Sequence, residues 1–209
     1  MEKAIRMAKD GDCIVYPTTT QPALGCVPTS SSLDKLFAIK KRPFNMPVSI
    51  GVANLEQASK LVELTDDISE FLSFFPDGSI TLILPAKTTL DSRLGGEKIA
   101  IRVVSHPTAK ALLQATGPLT ATSANISGEV PEDTCQDAAK KLSEMGFKIG
   151  VADGNTASGP PSTLIAWYSV CDAPDYPSIE VLREGIVPAK EVEKWWKKKI
   201  SSSGKTPGM

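Results

Sequence analysis

Short apolar runs, each closed by proline, glycine or a hydroxyl-rich stretch, recur along the chain and set its fold class before composition is considered. Cys13-Ile14-Val15-Tyr16, stopped by Pro17, reads as a buried strand. Further strands are expected at Val48 to Val52, Ser79 to Leu84, Lys98 to Val103, Leu119 to Thr122, Lys148 to Val151, Thr163 to Trp167 and Ile179 to Leu182. Between them lie helical patterns: Glu2 to Asp10 closed by Gly11, a helix capped by Ser32 and ended by Pro43, helices capped by Asn54 and Asp66 that run through Val62 and Phe74, and the segments Pro107 to Ala115, Cys135 to Glu144 and Pro188 to Lys199. Strands outnumber what strict β-α-β alternation would give. The expected class is therefore α+β (mixed α/β): a single domain with a twisted mixed parallel and antiparallel sheet flanked by helices.

Composition removes several function classes. At 209 residues the chain is about 1.4 times a common domain length, and no internal repeat or long linker occurs before residue 200. One domain over residues 1–189 is expected, followed by a basic helix end and flexible tail at 190–209. The most apolar stretch, Ile80 to Leu84, is far below the roughly 20 residues of a spanning helix, so no membrane partner is expected. Met1 to Arg6 reads as an amphipathic helix start without the apolar run of a signal peptide, which implies a cytoplasmic protein. Cys13, Cys26, Cys135 and Cys171 show no C-x-x-C spacing, and the single histidine, His106, rules out a two-histidine zinc helix. Pro107 follows His106, which favours a turn entering a helix over a substrate contact. Residues 190–205 carry a local +4 against −5 for residues 1–189, so any nucleic-acid contact would rest on the tail.

Two phosphate-loop decoys fail on chemistry. Gly154 and Gly159 have the P-loop spacing, but Pro160-Pro161 stands where Lys-Ser/Thr must follow, and Pro161 has no N–H to offer a phosphate. Gly204-Lys205-Thr206 has Lys199 in place of the first glycine. What remains is a set of polar loops at strand ends, where open sheets commonly hold ligands. Pro17-Thr18-Thr19-Thr20 offers three hydroxyls around a small polar substrate, although such turns are often structural. In Lys40-Lys41-Arg42-Pro43 the proline pushes Arg42 out of helical geometry, so Lys40 and Arg42 could converge on one anion such as a triphosphate; a solvated basic helix end is the alternative. Ala121 to Gly128 is dense in small hydroxyl and amide groups. Gly159 to Thr163 precedes a strand and Arg183-Glu184-Gly185 ends one. Arg102 sits in the otherwise apolar Ile99 to Val103, where a buried guanidinium needs an anion: a bound carboxylate, or an internal Asp or Glu.

In this order the segments resemble the YrdC-like family of threonylcarbamoyl-AMP synthases. The family pattern P-T-x-T, K-x-R-P, an F/W-P-G-like turn into T-L-I-L, A-x-R-V followed by H-P, S-A-N-x-S-G, P-S-T and R-x-G is met here by Pro17 to Thr20, Lys40 to Pro43, Phe75-Pro76 with Gly78 and Thr81 to Leu84, Ala100 to Val103 with His106-Pro107, Ser123 to Gly128, Pro161 to Thr163, and Arg183 to Gly185. The resemblance implies a YrdC-like fold and an enzyme that joins L-threonine, bicarbonate and ATP into threonylcarbamoyl-AMP and pyrophosphate. Partner enzymes would then move the group to adenosine 37 of tRNA. Apart from the resemblance, the basic tail could make a weak tRNA contact, with a solvated lysine-rich helix end as the favoured alternative. On the same resemblance Lys40 and Arg42 are the catalytic pair holding ATP phosphates with magnesium, and Ser123, Asn125 and Arg183 complete the nucleotide site. Thr20, Arg102 and Ser162 seat threonine, with Thr18, Thr122 and Ser127 as secondary candidates, and no protein metal ligands are implied.

The chain also departs from the family pattern. Pro22-Ala23-Leu24-Gly25 replaces the common Tyr-Gly-Leu-Gly, Met46 and Gly51 stand where other members often have a polar residue, and Tyr168 to Ser178 is longer than usual. A non-catalytic RNA-binding module of the same fold, or a carbamoyl-transfer enzyme with another acceptor, would share these motifs; the acidic body argues against the former.

Overall fold

A computed structural model describes residues 1–156, 159–168 and 178–202. Among them run ten strands: β1 (Cys13–Tyr16), β2 (Ala23–Gly25), β3 (Ile50–Val52), β4 (Ile80–Pro85), β5 (Lys98–Val103), β6 (Leu119–Thr120), β7 (Thr122–Ser123), β8 (Ile149–Val151), β9 (Thr163–Tyr168) and β10 (Ser178–Arg183). The helices are α1 (Glu2–Lys9), α2 (Ser30–Lys40), α3 (Leu55–Ser59), α4 (Asp66–Phe74), α5 (Pro107–Thr116), α6 (Cys135–Ser143) and α7 (Ala189–Ser202). The mixed α/β class expected from the sequence is the one observed.

Pairing divides the strands between two sheets, ordered β7-β2-β1-β8 and β10-β9-β4-β5-β3-β6, and each mixes parallel with antiparallel neighbours. The expected strand Leu119 to Thr122 is the reason there are two. It breaks at Ala121: Leu119 and Thr120 pair with β3 in the larger sheet, while Thr122 and Ser123 pair with β2 in the smaller. Three further bonds fasten this crossing. Thr120 N–H donates to Cys26 O at 2.9 Å, Cys26 N–H donates to Thr120 Oγ1 at 3.0 Å, and the wholly buried Tyr16 donates its hydroxyl to Thr120 O at 2.9 Å. Burial pushes the Tyr16 phenol well above its ordinary range.

Helix ends follow local chemistry, with three differences from expectation. Asn54 caps α3 as expected, accepting Gln57 N–H at 2.8 Å. Ser32 does not cap α2. The helix starts earlier, after Thr29, and the buried Ser32 hydroxyl instead donates to Gly11 O at 3.1 Å. Likewise Thr65 precedes α4, with Asp66 as its first helical residue beside the positive end of the helix dipole. At the other end of α2, Lys41 takes a left-handed conformation at φ 48° and stops the helix before Pro43 is reached.

The segment 190–202 belongs to the body. The sequence-based boundary at 189 falls inside α7, and the helix packs into the main core through fully buried Val192 and through Trp195. Phe71 of α4 is the hub, with ring centroids 4.9 Å from Trp195, 5.3 Å from Trp167 and 5.0 Å from Phe75 in edge-on geometry. Lys199 pairs with Asp67 at 3.0 Å and with Glu70. Trp195→Ala is therefore expected to lower stability by about 3 kcal/mol. Lys197→Gln, on an exposed lysine 3.9 Å from Glu193, should change it by less than about 0.5 kcal/mol. Equal melting temperatures for the two variants would contradict this packing. No helix among the described residues is long and apolar enough to cross a membrane.

Candidate active site

The loops that follow β1, α2 and β7, the turn that precedes β9 and the end of β10 meet around a cleft of about 450 Å³ lined by residues of both sheets. Thr20, Arg42, Arg102, Thr122, Ser123, Asn125, Ser162 and Arg183 all line it. Lys40, Thr18 and Ser127 do not.

The wall for a small polar substrate is built on Arg102. It lies in β5, is 8% exposed, donates from Nε to Gly78 O at 2.9 Å and from Nη2 to Thr20 Oγ1 at 3.0 Å. Neither partner carries charge, and no carboxylate among the described residues pairs with this guanidinium. The internal Asp or Glu that the sequence left open is absent from the described residues. Burial first, and then the like charge of Arg183, push Arg102 down to about 10 despite the opposing influence of Tyr16. Gly78 must be glycine here: its φ is +76°, and a Cβ would fall 2.8 Å from Ser105 Oγ and 2.9 Å from Thr19 Oγ1.

Thr18 shapes the same wall from behind. Its Oγ1 accepts the amides of Thr20 at 3.1 Å and Gln21 at 3.2 Å and donates to Gln21 O at 2.7 Å, a turn that aims Thr20 at Arg102. Ser162 and Thr81 share a buried hydroxyl pair at 2.7 Å. Arg183 Nη2 donates to Ser162 O at 2.8 Å, which ties the P-S-T and R-x-G segments together. Their packing needs Gly185, where a Cβ would lie 2.1 Å from Pro161 O. The region 169–177, in the longer-than-usual segment before Arg183, lies outside the described residues, as do Cys171 and the distal tail.

The opposite wall carries Arg42, with Lys40 set back beneath the 123–127 loop. Arg42 lies at the cleft, donating from Nε to Met46 O at 2.6 Å and from Nη2 to Pro47 O at 3.0 Å. Lys40, the last residue of α2, is 1% exposed and runs beneath the 123–127 loop. Its Nζ donates to Ser123 O at 2.5 Å and Asn125 O at 2.7 Å, with Asn125 Oδ1 at 3.5 Å. Lys41, left-handed at φ 48°, lies between the two cations in the chain, and the Lys40 charge still feels that of Arg42. Burial, then the nearby Arg42 charge, push Lys40 down to about 7.

Asn125 is likewise occupied by its own loop: Nδ2 donates to Ile126 O at 2.9 Å and Glu129 O at 2.6 Å. Ser127 carries a buried hydroxyl without a hydrogen-bond partner among the described residues. His106 has the structural role read from Pro107: Nδ1 accepts Thr108 N–H at 3.2 Å at the start of α5, and Nε2 faces Asn155 O at 3.0 Å. Among the departures, Pro22 and Ala23 do line the cleft, whereas Gly51 faces Tyr16 and Ala121 instead.

Three guanidiniums thus border a cleft whose lining holds one carboxylate, Glu129, itself paired with Lys141 at 3.2 Å. Such a site is suited to polyanionic ligands. Thr81 and Glu129 were not singled out as site residues from the sequence; the signal for Thr81 was a hydroxyl on one face of an apolar strand.

A mixed α/β domain with an arginine-rich cleft at a sheet junction is the class defined so far. The family model Sua5/YciO/YrdC, described as "Telomere recombination", matches residues 6–185, and the chain belongs to this family. A threonylcarbamoyl-AMP synthase of Pseudoalteromonas translucida (strain TAC 125) is 33% identical over 170 residues, covering 77% of this chain and 89% of that protein. Another from Bacillus subtilis (strain 168) is 31% identical over 199 residues, 91% of this chain but 55% of the relative. Among solved structures, P. abyssi Sua5 complexed with L-threonine superposes with a TM-score of 0.77 at 27% identity, over 92% of this chain and 56% of that one. E. coli YciO gives 0.73 at 26% identity, over 90% of each chain. The chain therefore spans about half the length of two of these relatives and nearly all of the other two. The resemblance read from the ordered motifs is confirmed at the level of family and fold.

Proposed function

We propose that the chain forms threonylcarbamoyl-AMP and pyrophosphate from L-threonine, bicarbonate and ATP. The observation that carries this reading is Arg102, a buried guanidinium with no internal carboxylate partner among the described residues, bonded to the Thr20 hydroxyl in a cleft that Thr81 and Ser162 also line. A carboxylate ligand would supply the missing charge, and Thr20, Thr81 and Ser162 would surround its small polar side chain and amine. Relatives named for the synthesis of threonylcarbamoyl-AMP, and one bound to L-threonine, support threonine as that ligand.

The chemistry asks for no enzyme nucleophile. The threonine amine attacks bicarbonate carbon and expels water, and an oxygen of the resulting carbamate attacks the α-phosphorus as pyrophosphate leaves. The protein's part is to hold two anions close despite their repulsion and to stabilise charge on the transferring phosphoryl group. Arg42 and Arg183 border the cleft where phosphate oxygens would lie, and Ser123 and Thr122 offer hydroxyls beside them. Lys40 acts one layer below, fixing two carbonyls of the nucleotide loop.

Magnesium would accompany ATP, since phosphate oxygens are its usual ligands in nucleotide sites. Bound there, it would offset phosphate charge. Downstream enzymes that carry the group to adenosine 37 of tRNA would receive the product. Any tRNA contact through the lysine tail would compete at Lys199 with Asp67 and Glu70.

The deciding measurement is pyrophosphate release from ATP with threonine and bicarbonate each omitted in turn. Release that continues undiminished without threonine would reject this function.

A further inference from the structure

Arg42 is held at the cleft by two carbonyl oxygens, those of Met46 and Pro47, and no carboxylate pairs with it among the described residues. Its position is therefore only as fixed as the turn 43–47, which has a single backbone bond within it, Met46 N–H to Pro43 O at 3.1 Å. Something outside the turn must secure it. Two attachments do so, and both lead to one residue far along the chain.

The first is Phe44. It is 66% exposed, so it contributes little to the core, yet its ring stacks on Phe37 of α2 at 5.6 Å and 15°. The Arg93 guanidinium carbon lies 5.7 Å from the centroids of both rings. The second is a backbone bond, Val48 N–H to Arg93 O at 2.9 Å, at the far end of the turn. Arg93 is itself immobilised. Its Nε and Nη2 bond Asp91 at 2.9 and 2.7 Å, Nη1 bonds Asp34 at 2.5 Å, and Nη2 also reaches Ser30 O at 3.2 Å. With its side chain 10% exposed, this is a rigid fork whose flat face is left for the two rings.

We infer that Arg93 and Phe44 are positioning residues for the nucleotide: they fix the turn whose carbonyls aim Arg42, and so set ATP affinity without touching ATP. The inference rests on the proposed synthase reading for the identity of the ligand. It assigns a purpose to an aromatic ring that the core does not need, and it places a control point for the nucleotide outside every motif shared with the family.

The test is a double-mutant cycle read by calorimetric titration of MgATP into the full chain, with threonine titrated in parallel. Phe44→Ala should weaken MgATP binding about tenfold while leaving threonine affinity and melting temperature near wild type. In an Arg42→Ala background the same change should have little further effect, because its action runs through Arg42. Arg93→Lys keeps the charge but not the fork and should fall between wild type and Arg93→Met. If Arg93→Met fails to fold, the cycle on exposed Phe44 still decides. Wild-type ATP affinity in Phe44→Ala, or an equal loss with and without Arg42, would overturn the inference. A wild-type chain that binds MgATP but releases no threonine-dependent pyrophosphate rejects the synthase reading and leaves the cycle intact; one that binds no MgATP overturns both.

Discussion

Arg102→Ala is expected to reduce kcat/KM for threonine by roughly 10²- to 10³-fold, the loss usual when one partner of a desolvated charge pair is truncated. The ground is electrostatic. A guanidinium 8% exposed, bound only to Gly78 O and Thr20 Oγ1, is short of negative charge until a ligand arrives. Burial already pushes Arg102 down to about 10 in the ligand-free chain, and a bound carboxylate would raise it again. Arg102→Lys should recover only part of the activity, because a point charge cannot bond Gly78 O, Thr20 Oγ1 and a carboxylate together. An internal structural role would show differently. Removing a charge that has no carboxylate partner among the described residues should leave the melting temperature near or above wild type, whereas a supporting Arg102 would give an early-melting variant. A variant with wild-type threonine dependence removes Arg102 from the site.

Lys40→Met is expected to lower turnover roughly 10²-fold, the order of loss that follows small misplacement of reacting groups. The ammonium is the shared donor of Ser123 O and Asn125 O, and without it the 123–127 loop loses the group that fixes its path. Titration gives an independent reading. The folded pKa is about 7 against 10.5 for an ordinary lysine, so between these values the unfolded chain binds more protons than the folded one. The cost of burying this charge is therefore full below pH 7, and the group's contribution to stability improves as pH rises through that window. Ligand binding runs the other way. ATP brings negative charge beside the loop, raises the Lys40 pKa and takes up a proton, so affinity should fall as pH climbs above 7. Calorimetry at pH 8 in two buffers of different ionisation enthalpy should report this uptake in wild type and its absence in Lys40→Met. Identical proton counts in the two proteins would show that Lys40 does not sense the nucleotide.

Strands such as Cys13–Tyr16 and Lys98–Val103 were legible because local apolar pattern and flanking turn residues agree there. β2 was not: three residues following Pro22 carry too little pattern, and pairing with β1 and β7 creates it. The division into two sheets was equally hidden, since it depends on one residue, Ala121, between strands of two residues each. Of the site, cleft membership was readable for Thr20, Arg42, Arg102, Ser123, Asn125, Ser162 and Arg183 through motif order. Lys40 was not, because whether a helix-end lysine points to solvent or under a loop depends on the left-handed turn at Lys41, a conformation that non-glycine residues rarely announce. The boundary read at 189 falls inside α7: charge dominates the composition of 190–199, while Val192 and Trp195 pack the helix into the core.

The two sheets are interleaved along the chain, and this governs how the protein can be made. The smaller sheet takes its strands from residues 13–16, 23–25, 122–123 and 149–151, and the larger from residues 50–52 through 178–183. During synthesis, β1 has no parallel neighbour until residue 151 has emerged, and β4 waits for β9, its parallel neighbour on the side away from β5. Neither sheet is a unit that can close early while the rest is still being added. The chain must acquire its order late and nearly all at once, through contacts between residues distant in sequence, which makes for slow folding and for nascent chains with exposed strand edges. A break between the sheets would yield no autonomous half, because every cut that frees one sheet also removes strands from the other.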